Sequence, residues 1–278
     1  MVRLRSNCAV AIIDKRAEVA DVEVFYREAP SPEGRPPVLY VHGNPTNSDD
    51  WLPFLERTGG IAPDLPGFGR SGKPAHFDYS IEGYSNLLEA LLTQRGVDRY
   101  SLVVHDWGGA ALGLAQRAPE RVERLVVMDA APLLPGYRWH RLARIWRTPL
   151  AGELFMGMTT RWGLKFLARE GVVGEPSDEF IDRVWNHFDH GTQRAILKLY
   201  RSAPPSVLER AGDRLGELRC PALIVWGEDD PYVPAEFASR FADALGGDTR
   251  VEVLPGVRHW PWIDDPGVID TVADFLSS

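Results

Sequence analysis

Asp106, Asp230, His259 and Tyr200 are the side chains whose types and spacing could carry out a covalent hydrolysis. Asp106 stands in the stretch Ser101–Gly109, Ser-Leu-Val-Val-His-Asp-Trp-Gly-Gly. The β-branched run Leu102–Val104 predicts a strand, and the Ala/Leu-rich Ala110–Ala118 predicts a helix. Between them, Gly108 and Gly109 allow a sharp turn with the helix packed close to the strand. Strand, turn and helix in this order make a nucleophile elbow, which holds one side chain out above the end of a sheet. A carboxylate at its tip can attack carbon, leaving an alkyl ester on the enzyme instead of the acyl-enzyme a serine forms. The competing reading is an aspartate that only caps the helix.

The elements needed to hold such a tip can be traced along the chain. Cys8–Ile13 and Val19–Tyr26 read as two early strands joined by a charged turn. Pro37–Val41 is a continuous apolar run, as in a strand buried on both faces, and it ends in His42-Gly43-Asn44-Pro45. Gly59–Pro63 is a weaker strand followed by the loop Asp64–Ser71. Ser80 caps a helix over Ser80–Arg95 whose apolar face carries Leu87, Leu88, Leu91 and Leu92. After the elbow comes a strand over Val122–Met128, ending at Asp129. Strands alternating with helices imply a mostly parallel central sheet flanked by helices.

From Pro132 to about Asp213 the alternation stops. The patterns there are helical: Tyr137–Trp146, Leu150–Ala168, Asp178–His187 and Gln193–Tyr200, with tryptophans at 139, 146, 162 and 185. Strand and helix resume with Cys220–Trp226, Ala235–Ala244, Val251–Leu254 and Pro266–Leu276. The expectation is an α/β core, residues 1–132 and 213–278, with an all-helical cap, residues 133–212, inserted after the sixth strand. An aromatic-rich insertion of this kind reads as a cover over a small apolar substrate.

Gly227-Glu228-Asp229-Asp230-Pro231 follows one late strand, and Pro255–Pro261, containing His259, follows the next. Both acids and imidazole therefore fall at the carboxyl edge of the sheet, where ligands meet open α/β sheets. The order Asp106, Asp230, His259 resembles the nucleophile–acid–histidine order of α/β-hydrolases, and the resemblance spans essentially the whole chain. It implies that Asp106 attacks, that His259 as neutral base activates water, and that Asp230 orients the imidazole. Asp129 is the alternative acid, because some relatives carry theirs there. The backbone N–H groups of Asn44 and Trp107 are the expected oxyanion hole. His42 and His105 read as structural.

An aspartate followed by Trp-Gly-Gly, beneath a helical cap, is similar to two sister families, epoxide hydrolases and haloalkane dehalogenases. Both would form the same ester and differ in what leaves. Tyr200-Arg201 resembles the pair bearing a catalytic tyrosine of epoxide hydrolases, with Tyr137 as a loose second cap donor. His42-Gly43-Asn44-Pro45-Thr46 and Val103–Trp107 resemble dehalogenases, in which Asn44 and Trp107 would bind halide. The sequence-based preference is epoxide hydrolase, with haloalkane dehalogenase as the alternative and a catalytically silent binding protein as a remote one.

Composition limits the partners. Formal net charge is −8 in 278 residues and no basic run occurs, so neither nucleic acid nor an anionic membrane surface is an expected partner. No stretch approaches membrane-spanning length, and the apolar run near the start is too short for a signal peptide's core. Cys8 and Cys220 read as reduced core thiols of a cytoplasmic protein. No histidine has metal-ligand spacing, so no metal and no cofactor are expected; a monomer or homodimer is.

Overall fold

A computed structural model describes residues 11–278. Its centre is one eight-stranded sheet: β1 (Ile13–Val19), β2 (Val22–Ala29), β3 (Val38–Val41), β4 (Gly60–Pro63), β5 (Tyr100–His105), β6 (Val122–Met128), β7 (Ala222–Gly227) and β8 (Thr249–Leu254). The spatial order is β1-β2-β4-β3-β5-β6-β7-β8. Pairing is antiparallel from β1 to β2 and from β2 to β4, and parallel from β4 through β8. Every residue of β3, β5 and β7 is buried, which explains their unbroken apolar runs.

The first two strands fall later than the sequence pattern suggests. Half of Cys8–Ile13 lies outside the described residues, and the charged stretch after it is itself β1. This edge strand pairs Val19 with Val22 across a hairpin in which Ala20 and Asp21 both have positive φ, 48° and 62°. Its polar residues face water, so no apolar run marks it.

Helix Ile81–Gln94 starts where expected, with the Ser80 hydroxyl accepting the Gly83 N–H at 3.1 Å. It packs against helix Ala111–Arg117, which follows the elbow. Helices Leu52–Thr58 and Gly267–Ser277 pack together, contributing to the cluster around Trp51, Phe54 and Trp262.

Between β6 and β7 the chain is helical throughout its regular structure: Arg141–Arg147, Ala151–Met158, Arg161–Ala168, Asp178–Trp185, His190–Ser202 and Pro205–Ala211. Two sequence expectations need correction here. Leu150–Ala168 is two helices, because Thr159 and Thr160 are extended and the Thr160 hydroxyl caps the second helix through the Gly163 N–H at 3.1 Å. Tyr137–Trp146 becomes helical only at Arg141, where the His140 imidazole accepts the Ala143 N–H at 3.3 Å.

Candidate active site

The elbow is built by a strained backbone and close packing. Strand β5 ends at His105, and Asp106 turns with φ 48°, a left-handed conformation rare outside glycine. A 3₁₀ turn, Asp106–Ala110, leads into the helix. A Cβ on Gly108 would lie 2.0 Å from the Val41 carbonyl oxygen, so only glycine allows this approach. The tip is buried: Asp106 is 8% exposed.

The turn after β3 faces the Asp106 carboxylate. The Asn44 backbone N–H donates to Asp106 Oδ1 at 2.7 Å. Gly43 lies so near that a Cβ there would meet the Asp106 Cβ at 2.3 Å. This turn is braced from behind. His42 Nε2 accepts the Leu65 N–H at 2.9 Å, and Asp64 Oδ1 accepts the Ser48 N–H at 2.7 Å. His42 is therefore structural, as its sequence position suggests. The loop Asp64–Ser71 serves the site by bracing this turn.

His259 follows β8 and approaches from the other side. Its Nε2 is 3.7 Å from Asp106 Oδ2, and its Nδ1 is 2.9 Å from Asp230 Oδ2. Asp230 is fully buried at its side chain, and its Oδ1 accepts the Tyr232 and Val233 N–H groups at 2.7 and 3.2 Å. The imidazole thus bonds to Asp230 and not to Asp129. His105 Nε2 meets the His259 carbonyl at 2.7 Å and the two rings lie 4.7 Å apart. Asp129, Asp230 and His259 place polar atoms within 4.8 Å of one another, a set that could in principle bind a cation. Their lone pairs are instead largely engaged: His259 Nδ1 with Asp230, and Asp230 with two backbone N–H groups.

Burial sets the electrostatics. It raises the Asp106 pKa above the usual carboxyl value, although His259 and the N–H groups of Asn44 and Trp107 oppose the shift. Burial pulls His259 down, but the charge and hydrogen bond of Asp230, with the Asp106 charge, outweigh it. The net shift is upward.

Above Asp106 the cap closes a cavity of about 770 Å3, mouth included. Asn44, Asp106, Tyr200 and His259 line it together with apolar side chains such as Phe155, Leu164, Phe180 and Ile196. The Tyr200 hydroxyl accepts from Asn44 Nδ2 at 3.3 Å. Burial, then the Asp106 charge, pushes its pKa well above the ordinary phenol value. Its ring is 5.0 Å from both Trp107 and Trp139 and 4.9 Å from Trp146. Arg201, beside it, faces away and pairs with Glu153 at 2.6 Å.

Other sequence-predicted residues sit elsewhere. Tyr137 does not line the cavity; its hydroxyl donates to the Tyr232 carbonyl at 3.1 Å. The Trp107 ring lies behind Tyr200, stacked on Trp139 at 5.4 Å, and its Nε1 is buried without a partner. Of the four cap tryptophans only Trp146 lines the cavity, and Trp162 is 73% exposed. Sequence reading missed His140, Tyr232 and Trp260 as lining residues. The last two were within reach, since they neighbour Asp230 and His259 in the chain.

Residues 36–266 match the model of the alpha/beta hydrolase fold family. The chain belongs to that family. It is 35% identical to a haloalkane dehalogenase of Mesorhizobium japonicum, covering 90% of this chain and 87% of the relative. It is 32% identical to a haloalkane dehalogenase of Bradyrhizobium diazoefficiens, covering 88% of each. The crystal structure of haloalkane dehalogenase DbeA from Bradyrhizobium elkani superposes with a TM-score of 0.83 at 27% identity, over 96% of this chain and 98% of that one. The protein is thus a hydrolase of the α/β-hydrolase superfamily with Asp and His catalytic residues, acting on small apolar substrates. Among the described residues no helix is long and apolar enough to cross a membrane.

Proposed function

We propose that the protein is a haloalkane dehalogenase, converting an alkyl halide and water to an alcohol and halide. The observation that carries this reading is the Asn44 side-chain amide, which lines an apolar cavity next to Asp106. Asp106 attacks the sp³ carbon from behind and expels halide, forming an alkyl ester. His259 Nε2 then takes a proton from water, which attacks the ester carbonyl. Asp230 stabilises the imidazolium that results. The backbone N–H groups of Asn44 and Trp107 hold the oxyanion of the tetrahedral intermediate. A second water is not needed, because attack at the carbonyl cleaves the ester and regenerates the Asp106 carboxylate.

Halide leaves without a proton, so it needs donors only. Asn44 Oδ1 is buried without a partner while Nδ2 faces Tyr200. A half-turn of the amide lets the Tyr200 hydroxyl donate to Oδ1 and frees Nδ2 for halide. Trp107 Nε1 is buried without a partner, but its ring packs against Tyr200 and Trp139 and does not line the cavity, so the side-chain amide of Asn44 is the donor this reading rests on. This reading reverses the sequence-based preference for epoxide opening, because the dehalogenase relatives reach 32% and 35% identity, whereas an epoxide hydrolase of Xenopus tropicalis reaches 27% over a similar span. The epoxide reading keeps the Tyr200 phenol in the cavity in its favour. Offering 1-bromobutane and styrene oxide side by side tests the two. Bromide release is expected to dominate; diol formation without bromide release would overturn the proposal.

A further inference from the structure

Asp129 is a buried carboxyl beside the triad that the reaction above does not use. It follows the last residue of β6, with φ 38°, and is fully buried. Its Oδ1 accepts the Gly227 N–H at 2.9 Å, and its Oδ2 is buried with no donor pointing at it. Asp129, Asp230 and His259 lie within 4.8 Å of one another through their polar atoms. Asp230 receives three N–H donors, from His259, Tyr232 and Val233. A carboxylate offers about four lone-pair sites, so one acceptor position on Asp230 remains. Two buried carboxylates this close cannot both be charged, and the proton belongs on the one with fewer donors.

We infer that Asp129 is a neutral carboxylic acid whose Oδ2–H donates to Asp230, making it a positioning residue for the acid and not a substitute for it. Burial, then the charge of Asp230, pushes its pKa well above the carboxyl range, in keeping with that state. The bond braces Asp230 from the neighbouring strand while Gly227, three residues earlier, is held by the same side chain. It also draws negative charge away from the face of Asp230 that His259 feels. The inference rests on the Asp106–His259–Asp230 triad but not on which group leaves. The groups facing His259 are Asp106, Asp230, Asp129, Asp50, His105, His140 and Tyr232; those facing Asp129 are Asp230, His259 and Asp264.

Two measurements on the whole protein test this. The first is infrared difference spectroscopy at pH 9 between the parent protein and Asp129→Asn. A carboxylic-acid C=O band present in the parent and missing in the variant is expected; no such band overturns the inference. The second is the pH profile of bromide release from 1-bromobutane. Asp129→Leu removes the donor, so turnover is expected to fall roughly tenfold and the acid limb to move to higher pH, since His259 feels the full Asp230 charge. Asp129→Asn keeps a donor and an acceptor, and is expected to recover most of that loss with the acid limb where it stands in the parent. An acid limb moved to lower pH in Asp129→Asn would mean that a negative charge was removed beside His259, and the inference would fail. If bromide is not released at all, the leaving-group reading fails, while the infrared band still decides the state of Asp129. The band and the Asn variant also decide it if the Leu variant does not fold.

Discussion

The carboxyl edge of the sheet and the helical cap solve the same problem, placing side chains around one cavity, by different physics. At the sheet edge Asp106, Asp230 and His259 each come soon after a strand whose register is set by parallel pairing. Backbone N–H groups then fix the carboxylates: Asn44 on Asp106, and Tyr232 and Val233 on Asp230. In the cap, Tyr200 is held by aromatic rings on several sides, Trp107, Trp139 and Trp146. The cap's outer surface is also unfinished as a core: Leu154, Met158, Trp162 and Phe166 are all more than half exposed. Reaction geometry therefore resides in backbone hydrogen bonds, whereas the cap shapes the space above it through packing. Changes at the edge should stop the chemistry, and changes in the cap should mostly retune it.

The largest expected effect is at the tip. Asp106→Ala should abolish turnover, a loss on the order of 10⁴-fold or more, since no other group can form the ester. Its folding should survive despite the buried site, because removing a desolvated carboxylate offsets the strain of an alanine at positive φ, about 1–2 kcal/mol. Thermal unfolding checks this. In the same region His259→Gln should stop the second half of the reaction only. Intact-mass measurement after adding 1-bromobutane should then show a butyl adduct on Asp106; unmodified protein that still releases bromide at the parent rate would break the assignment.

Next comes Asp230→Asn, expected to cut turnover by roughly 10²–10⁴-fold through a misdirected imidazole. A loss far smaller than that of Asp129→Asn would exchange the roles of the two acids.

At the boundary between the two regions, Asn44→Leu removes a side-chain N–H but keeps the backbone donor. Bromide release should fall roughly a hundredfold, as for other single donors to a developing anion. Tyr200→Phe should cost less, because halide needs no proton. The opposite ranking would show that the cap supplies the chemistry and would revive epoxide opening.

The pH dependence tests the edge without mutation. His259 has a raised pKa, and its neutral form is the proposed base. Activity should therefore be lost as pH falls through a midpoint above 6.5, with the raised Asp106 pKa acting in the same direction. For stability the sign is opposite: the contribution of protonated His259 is full below the unfolded value and is lost as pH rises through the folded one. A bromide-release profile with its midpoint below that of free histidine would contradict the Asp230 pairing.

The smallest effect belongs to the cap alone. Thr160→Ala deletes the hydroxyl that caps helix Arg161–Ala168 and should cost about 1 kcal/mol of stability, read by denaturant unfolding, with little change in turnover.

Much of the sheet edge was legible in the sequence. Strand runs such as Val38–Val41 and Ala222–Gly227 are apolar on both faces, and the loops that leave parallel strands at their carboxyl ends all emerge at one edge. Hence the elbow, Asp230 and His259 could be placed from chain order alone, as could the helical cap after β6. The bounds of the first hairpin were not legible, because an edge strand with solvated charges has no periodic apolar signal. Tertiary structure alone decided which acid bonds to His259, since Asp129 and Asp230 both lie just past the ends of strands that run side by side. It also decided that Tyr200 faces Asn44 while Tyr137 is spent on the Tyr232 carbonyl. In the sequence both are tyrosines in a helical, aromatic-rich insertion. A contact across the cap depends on how helices pack, and helical periodicity specifies a face without naming its neighbour.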